Sequence, residues 1–434
     1  MEPMNPTQLP PKRKTRLDYL AGLGGAASVL CSAFVLSGAP WSLEQKVWVA
    51  LGLTGTVMVA LTFWINRVTG QPAPRQSSNL PFKAIFLAAL WEYGSILILM
   101  GVVYWLYRQV PEYGFGQGAA FYARFFEGLD FLAWTLGLAG LPYLLASFVW
   151  VQGAVEAVGY RHLATRLVAR LRPKPKLVAD PAPEGPVQTL VLGLLVKAFF
   201  VPIMLAFFQD QFSVLLNNVK FLQACWEGGA HLGWADLFHL PVNLIFTLDV
   251  GLATCGYLFG LRFLNNQIRS VEPTLLGWVV ALLCYPPFRV LLGFYLLVPS
   301  EQSFFALENP YLRFFFGATA VLSYLIYLWA TLAFGLRFSN LTHRGIIWTG
   351  PYRWVRHPAY GAKNLAWILV MAPTAVVQGF STGSSSAVFS LLSIAAMSGL
   401  YYLRAITEER HLGADPEYRE YCEQVRYRFF PGLW

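Results

Sequence analysis

The stretch Val187-Gln188-Thr189-Leu190-Val191-Leu192-Gly193-Leu194-Leu195-Val196-Lys197-Ala198-Phe199-Phe200-Val201-Pro202-Ile203-Met204-Leu205-Ala206-Phe207-Phe208 holds one charge in a run long enough for a helix to cross a bilayer. Comparable runs recur at Tyr19–Gly38, Val47–Ile65, Phe82–Tyr107, Phe131–Val151, Leu237–Phe263, Leu275–Val298, Leu312–Phe334, Ala359–Val377 and Ala387–Ala405. Across the 434 residues, 56% are hydrophobic and only 13% charged, which is too apolar for an ordinary soluble chain. The expected fold is all-α, a polytopic helical membrane protein with about ten transmembrane helices.

The net charge of +9 does not mark a nucleic-acid binder. Its Lys and Arg residues gather in alternate loops, among them Arg67, Arg75, Lys83, Arg161, Arg166, Arg262, Arg269, Arg337, Arg344, Arg353 and Arg356. The intervening loops hold Glu44, Glu112, Glu127, Glu227, Glu301 and Glu308. This positive-inside pattern places both termini in the cytoplasm. It fits a bacterial inner membrane, or the endoplasmic reticulum in a eukaryotic cell, with the lipid bilayer as first partner.

Residues 1–16 read as a disordered basic leader, and 17–159 as a four-helix membrane unit. Residues 160–186 read as a basic, Pro-rich cytoplasmic linker, and 187–434 as a six-helix unit whose distinctive core is 332–434. Gly22, Gly24 and Ala27 match a dinucleotide-binding spacing, but they lie inside a membrane run with no strand before them. Close helix packing through small residues is expected there instead. The five cysteines are scattered, and the six histidines show no ligand spacing, so neither a disulfide framework nor a metal site is expected. Glu92, Lys197 and Asp249 fall inside membrane runs and need partners or a cavity. A Lys197–Asp249 pair between helices is the plain reading, and a headgroup site the sharper one. Pro286-Pro287 break the run Leu275–Val298, as helices do where they enclose a cavity.

Two clusters are not explained by hydrophobicity. In Gly350-Pro351-Tyr352-Arg353-Trp354-Val355-Arg356-His357-Pro358-Ala359-Tyr360, Pro358 can open a helix, so Arg356 and His357 stand at a helix mouth suited to an anion. Tyr352, Trp354 and Tyr360 offer flat faces for a ring. In the second cluster, Arg404-Ala405-Ile406-Thr407-Glu408-Glu409 carries paired carboxylates past the end of a span. Asp415-Pro416 then starts a short helix whose apolar stripe is Tyr418, Tyr421, Cys422 and Val425, expected to fold back over the site. A ligand with a carboxylate, hydroxyl or cationic groups and an aromatic ring would suit both clusters. S-adenosylmethionine has all of these, and a phosphate-bearing lipid headgroup would also suit the basic mouth.

The pattern Gly350-Pro351-Tyr352-x-x-x-Arg356-His357-Pro358-x-Tyr360, then Arg404-x-x-x-Glu408-Glu409-x-x-Leu412, then Tyr418-x-x-Tyr421-x-x-x-Val425 before Pro431 resembles the isoprenylcysteine carboxyl methyltransferase family. The related phospholipid N-methyltransferases share its outline. The resemblance covers roughly the last quarter of the chain. It implies an integral membrane enzyme that binds S-adenosylmethionine from the cytosol and methylates a lipidic or isoprenoid-linked substrate. Carried over by motif, Tyr352, Arg356, His357, Tyr360, Glu408, Glu409 and Leu412 would bind the cofactor. Arg356, His357 and Glu408 would serve the chemistry, orienting a carboxylate acceptor or taking a proton from an amine or hydroxyl. Gly361 directly after Tyr360, and Lys363-Asn364 beyond it, depart from the family pattern. Lys363, Asn364 and Asp249 are therefore expected on the substrate side. A nicotinamide-dependent sterol-type reductase, and a non-catalytic accessory or transport protein with the same core, are the alternative readings.

Overall fold

A computed structural model describes residues 14–70, 81–110, 113, 119–150, 184–288, 303–382 and 385–433. Eleven α-helices are present among the described residues: α1 (Lys14–Ser37), α2 (Leu43–Val68), α3 (Phe82–Gln109), α4 (Ala119–Trp150), α5 (Glu184–Trp226), α6 (Asp236–Leu258), α7 (Leu275–Leu282), α8 (Pro310–Phe334), α9 (Pro358–Thr382), α10 (Ser385–Leu412) and α11 (Pro416–Gln424). Eight of them (α1 to α6, α8 and α10) are long and apolar enough to cross a membrane. Helix α9 has the length but carries Lys363 and Asn364 in its second turn.

Two expected spans take other forms. Helix α5 continues well past Phe208 to Trp226; its 43 residues reach about 65 Å, roughly twice a hydrocarbon core. Its later half pairs with α6 through hydroxyls, Thr254 Oγ1 donating to Met204 O and Thr247 Oγ1 to Gln211 O. The run Leu275–Val298 is not one helix: α7 stops at Leu282, ahead of Pro286-Pro287, and residues 289–302 lie outside the described residues. Phe304 packs its ring against Phe238 at the start of α6. Of the expected leader, 1–13 lie outside the described residues, while Lys14–Arg16 already belong to α1. Of the expected linker, 160–183 lie outside, and Glu184–Pro186 form the first turn of α5.

The core ignores the linker. Ala26 and Val29 of α1 and Met58 of α2 share one cluster with Phe200 and Phe208 of α5, Leu252 of α6 and Leu332 of α8. Helices α3 and α4 add a smaller cluster of Ile85, Ala88, Leu144 and Phe148, and Glu92 is buried on α3 with partners of its own. Gly22 and Gly24 pack against neighbouring helices, as expected, whereas Ala27 is exposed. A Cβ on Gly22 would collide with the Leu332 carbonyl oxygen, one on Gly24 with Leu61, and one on Gly25 would come 2.6 Å from Leu252. Backbone thus approaches backbone where α1 crosses α8, a contact only a small residue permits. Tyr19 near the start of α1 packs beside Ile347 and Tyr352, so the N-terminal end of α1 lies at the same end of the bundle as the two sequence clusters.

Gly22→Ala is expected to destabilise the protein by about 1–3 kcal/mol through overpacking, seen as a lower thermal unfolding midpoint in detergent. The same change at Gly52, where a Cβ meets nothing within 4 Å, should leave the midpoint at or above wild type.

Candidate active site

Helix α8 ends at Gly335, and the chain then lays a loop across one end of the bundle. Thr342–His343 (β2) pairs antiparallel with Ser270–Val271 (β1). Arg344 pins this loop to the end of α6: Nε donates to Asn266 O at 2.7 Å and Nη1 to Gly256 O at 2.7 Å and Phe338 O at 3.1 Å. A guanidinium there satisfies carbonyls that a helix end leaves open. Burial lowers its pKa to about 10, with the Arg337 charge adding to the effect. A turn at Gly350–Arg353 follows, with Gly350 at φ +61.

The motif is then held by the C-terminal tail. Arg356 N donates to Tyr427 O at 2.9 Å and His357 N to Arg428 O at 2.8 Å, a strand-like pairing alongside α9's first turn. Helix α11 is started by Asp415, whose side chain accepts from Glu417 N, with Pro416 in its first turn. Its stripe of Tyr418, Tyr421 and Val425 is buried against Ile346, and Tyr421 Oη donates to Tyr352 O at 2.7 Å. The tail does fold back over the motif.

The two carboxylates at the end of α10 divide. Glu409 meets His357 Nε2 at 3.2 Å, Arg428 Nε at 3.1 Å and Arg356 Nε at 3.4 Å. It is held by these three side chains and, unlike the other residues expected to bind the cofactor, does not line the cavity described next. Glu408 faces the other way, accepting a short hydrogen bond from Tyr360 Oη and standing 3.7 Å from His357 Nδ1. The His357 and Tyr360 rings lie parallel, 5.6 Å apart.

Between the loop, the start of α9, the end of α10 and α11 lies a cavity of about 180 Å³. Tyr352, Arg356, His357, Tyr360, Glu408, Leu412 and Lys363 all contribute to its wall, so two motifs far apart in sequence meet there. Asn364 does not; its Nδ2 donates back to Tyr360 O within α9. Asp249 lies behind the wall, accepting from Tyr327 Oη and Thr331 Oγ1, both at 2.6 Å. The expected Lys197–Asp249 pair is not formed: Lys197 Nζ stands near Gly260, alongside Arg344. The fork of Arg356 is not open to a ligand carboxylate either. Nη1 donates to Cys422 Sγ and Nη2 to Arg426 O, while Nε faces Glu409.

Sequence reading passed over Arg404 as a site residue. Its buried guanidinium lines the cavity, donates through Nη2 to Asn340 Oδ1 at 2.6 Å, and stands 5.1 Å from the Tyr360 ring and 5.6 Å from Tyr401. Its Nε is buried without a partner, as is Thr342 Oγ1 on the same wall. Buried donors are nearly always satisfied, so an unmet one in a cavity wall calls for a partner from the cavity, water or ligand. The signal available was the i,i+4 spacing of Arg404 and Glu408; Asn340 had none.

Compared with protein-family models, with curated proteins and with solved structures, the chain matches none.

His343 lines the cavity with Nε2 3.4 Å from Asp415. Burial pushes its pKa below the ordinary 6.5, Arg269 and His411 push the same way, and Asp415 opposes them. A depressed histidine pKa means the unfolded chain binds the proton first. Stability is therefore whole above pH 6.5 and falls as the pH drops through the folded-state value. Thermal midpoints measured between about pH 7.5 and 5.5 should fall on acidification, and His343→Gln should flatten the slope.

Proposed function

We propose that this protein is an S-adenosylmethionine-dependent methyltransferase of a cytoplasmic-facing membrane surface, acting on a lipidic or isoprenoid-linked acceptor. In this reading the chain crosses the bilayer about ten times, counting α9 and the run Leu275–Val298, with both termini in the cytoplasm. The observation that carries it is the cavity itself, into which the Tyr352–Tyr360 and Arg404–Leu412 motifs both turn their side chains. Its residues fit the cofactor's groups. Arg404, with an unmet donor, suits the carboxylate in place of Arg356. Glu408 suits a hydroxyl pair or an ammonium, and the tyrosine faces suit the adenine. When bound, the cofactor supplies a methyl group on a sulfonium.

The protein's own part is positioning and exclusion of water. Arg356 acts as a strut that fixes the tail over the cavity. His357 is held between Glu408 and Glu409, which orient its ring at the cavity wall. The Tyr418–Val425 helix forms a roof on the cytoplasmic side, and the opposite end of the cavity reaches α8 and α9 at Tyr327 and Lys363.

Purified protein in detergent should gain several degrees of thermal stability from S-adenosylhomocysteine and none from NADPH. The opposite ranking would sink this reading and favour the reductase. Glu408→Gln and Arg404→Lys should each weaken S-adenosylhomocysteine binding about tenfold or more, the ~1.4 kcal/mol scale of one charge-assisted hydrogen bond.

A further inference from the structure

The end of the cavity farthest from the tail has its own polar lining. Tyr327 and Thr331 lie one helical turn apart on α8 and both belong to the cavity wall. Behind them, on α6, Asp249 is buried and receives a hydrogen bond on each carboxylate oxygen, from Tyr327 Oη on Oδ2 and from Thr331 Oγ1 on Oδ1. Lys363 of α9 stands 5.1 Å from the Tyr327 ring and 5.4 Å from the Trp367 ring. A tie between α6 and α8 needs no acid, because apolar contact there would serve as well. A carboxylate at this depth is costly and marks function by default.

The direction of the hydrogen bonds carries the inference. A hydroxyl has one proton and two lone pairs. Tyr327 and Thr331 have both given their proton to Asp249, so toward the cavity they can only accept. Lys363 at this end is the countercharge of Asp249, so the choice falls to the two hydroxyls, against whose oxygens a carboxylate would bring lone pairs to lone pairs. A group with a dissociable proton would instead donate into them. Resting on the methyltransferase reading, we infer that Tyr327, Thr331 and Asp249 form the acceptor end of the cavity and select a phenol, alcohol or amine over a carboxylate. Tyr327 relays the proton and Asp249 receives it. The acceptor X–H passes its proton to the Tyr327 oxygen as the Tyr327 proton moves to Asp249. The lone pair on X forms the X–CH3 bond while the carbon–sulfur bond of the methylsulfonium donor breaks, its pair remaining on sulfur. One positive and one negative charge are lost together, leaving a thioether and a protonated Asp249.

The test uses full-length protein in non-ionic detergent with a long-chain alkylphenol and a chain-matched fatty carboxylate as probes, each with and without saturating S-adenosylhomocysteine. The alkylphenol is expected to raise the thermal midpoint more than the carboxylate. Tyr327→Phe and Thr331→Val should each remove that preference while keeping the shift due to S-adenosylhomocysteine. Equal shifts, or a larger one with the carboxylate, would overturn the inference, as would a preference that survives both substitutions. Thr331→Val serves alone if Tyr327→Phe does not fold. In parallel, label from methyl-labelled S-adenosylmethionine incorporated into lipid should survive alkali, as ethers and methylamines do. Release as volatile methanol would reveal a carboxyl ester and overturn the inference while leaving the methyltransferase reading intact. Absence of any shift with S-adenosylhomocysteine would sink that reading, whereas the probe comparison without it still decides the acceptor end.

Discussion

Two guanidinium groups and the His357 imidazole converge on the Glu409 carboxylate, and the end of the molecule that holds the cavity is assembled around that convergence. Arg356 and His357 come from the loop before α9, and Arg428 from the tail beyond α11. A carboxylate enclosed this far costs several kcal/mol unless it is paired and hydrogen-bonded. Satisfying it therefore fixes where both segments lie. The backbone pairing of Arg356 with Tyr427 and of His357 with Arg428 follows from the same register. Without Glu409 the tail would lose its ionic anchor, leaving the backbone pairing, the Arg356 and Tyr421 hydrogen bonds and the Tyr418–Val425 stripe to hold the roof of the cavity.

The neighbouring Glu408 does a different job for a geometric reason. Successive residues on a helix point about 100° apart, so adjacent carboxylates cannot share one environment. One turns into the cation cage, and the other turns to Tyr360 and the cavity. A similar division separates the arginines. Arg344 and the Nη groups of Arg356 are spent on backbone carbonyls and a thiol, whereas Arg404 Nε, like Arg356 Nε beside Glu409, has no hydrogen-bond partner. Among the described residues, the charges near this end divide into those that hold the loops and those that face the open space.

Much of this was legible in the chain. Long apolar runs foretold helices of membrane-spanning length, because period and composition report hydrocarbon exposure directly. Asp415-Pro416 foretold the start of α11, because capping is local. The small-residue spacing at Gly22 foretold a packing face rather than a nucleotide loop. What escaped was set by tertiary partners. Composition fades after Phe208 although α5 continues, since α6 lies alongside to hydrogen-bond Gln211. The sequence supplied a lysine and an aspartate in neighbouring runs, but the hydroxyls of α8 reached Asp249 first. Arg356 looked like the open fork because nothing local shows that Cys422 and Arg426 will claim it.

The N-terminal helices gain a physical role from the same geometry. Tyr327 and Thr331 lie on successive turns of α8 and Leu332 adjoins Thr331, so the placement of the first two depends on how α8 is held at the third. Gly22 of α1 holds it there by backbone contact with Leu332. Asp249 arrives on α6, which shares its buried core with α1 and α2 through Leu252, Val29 and Met58. A C-terminal quarter standing alone would keep both motifs yet lack Asp249 and the surface that sets the height of α8. The motifs thus define the roof and one wall of the cavity, while its far end is built from helices that precede them. The features that decide what the far end of the cavity admits are therefore to be sought in α6 and α8, outside the two motifs.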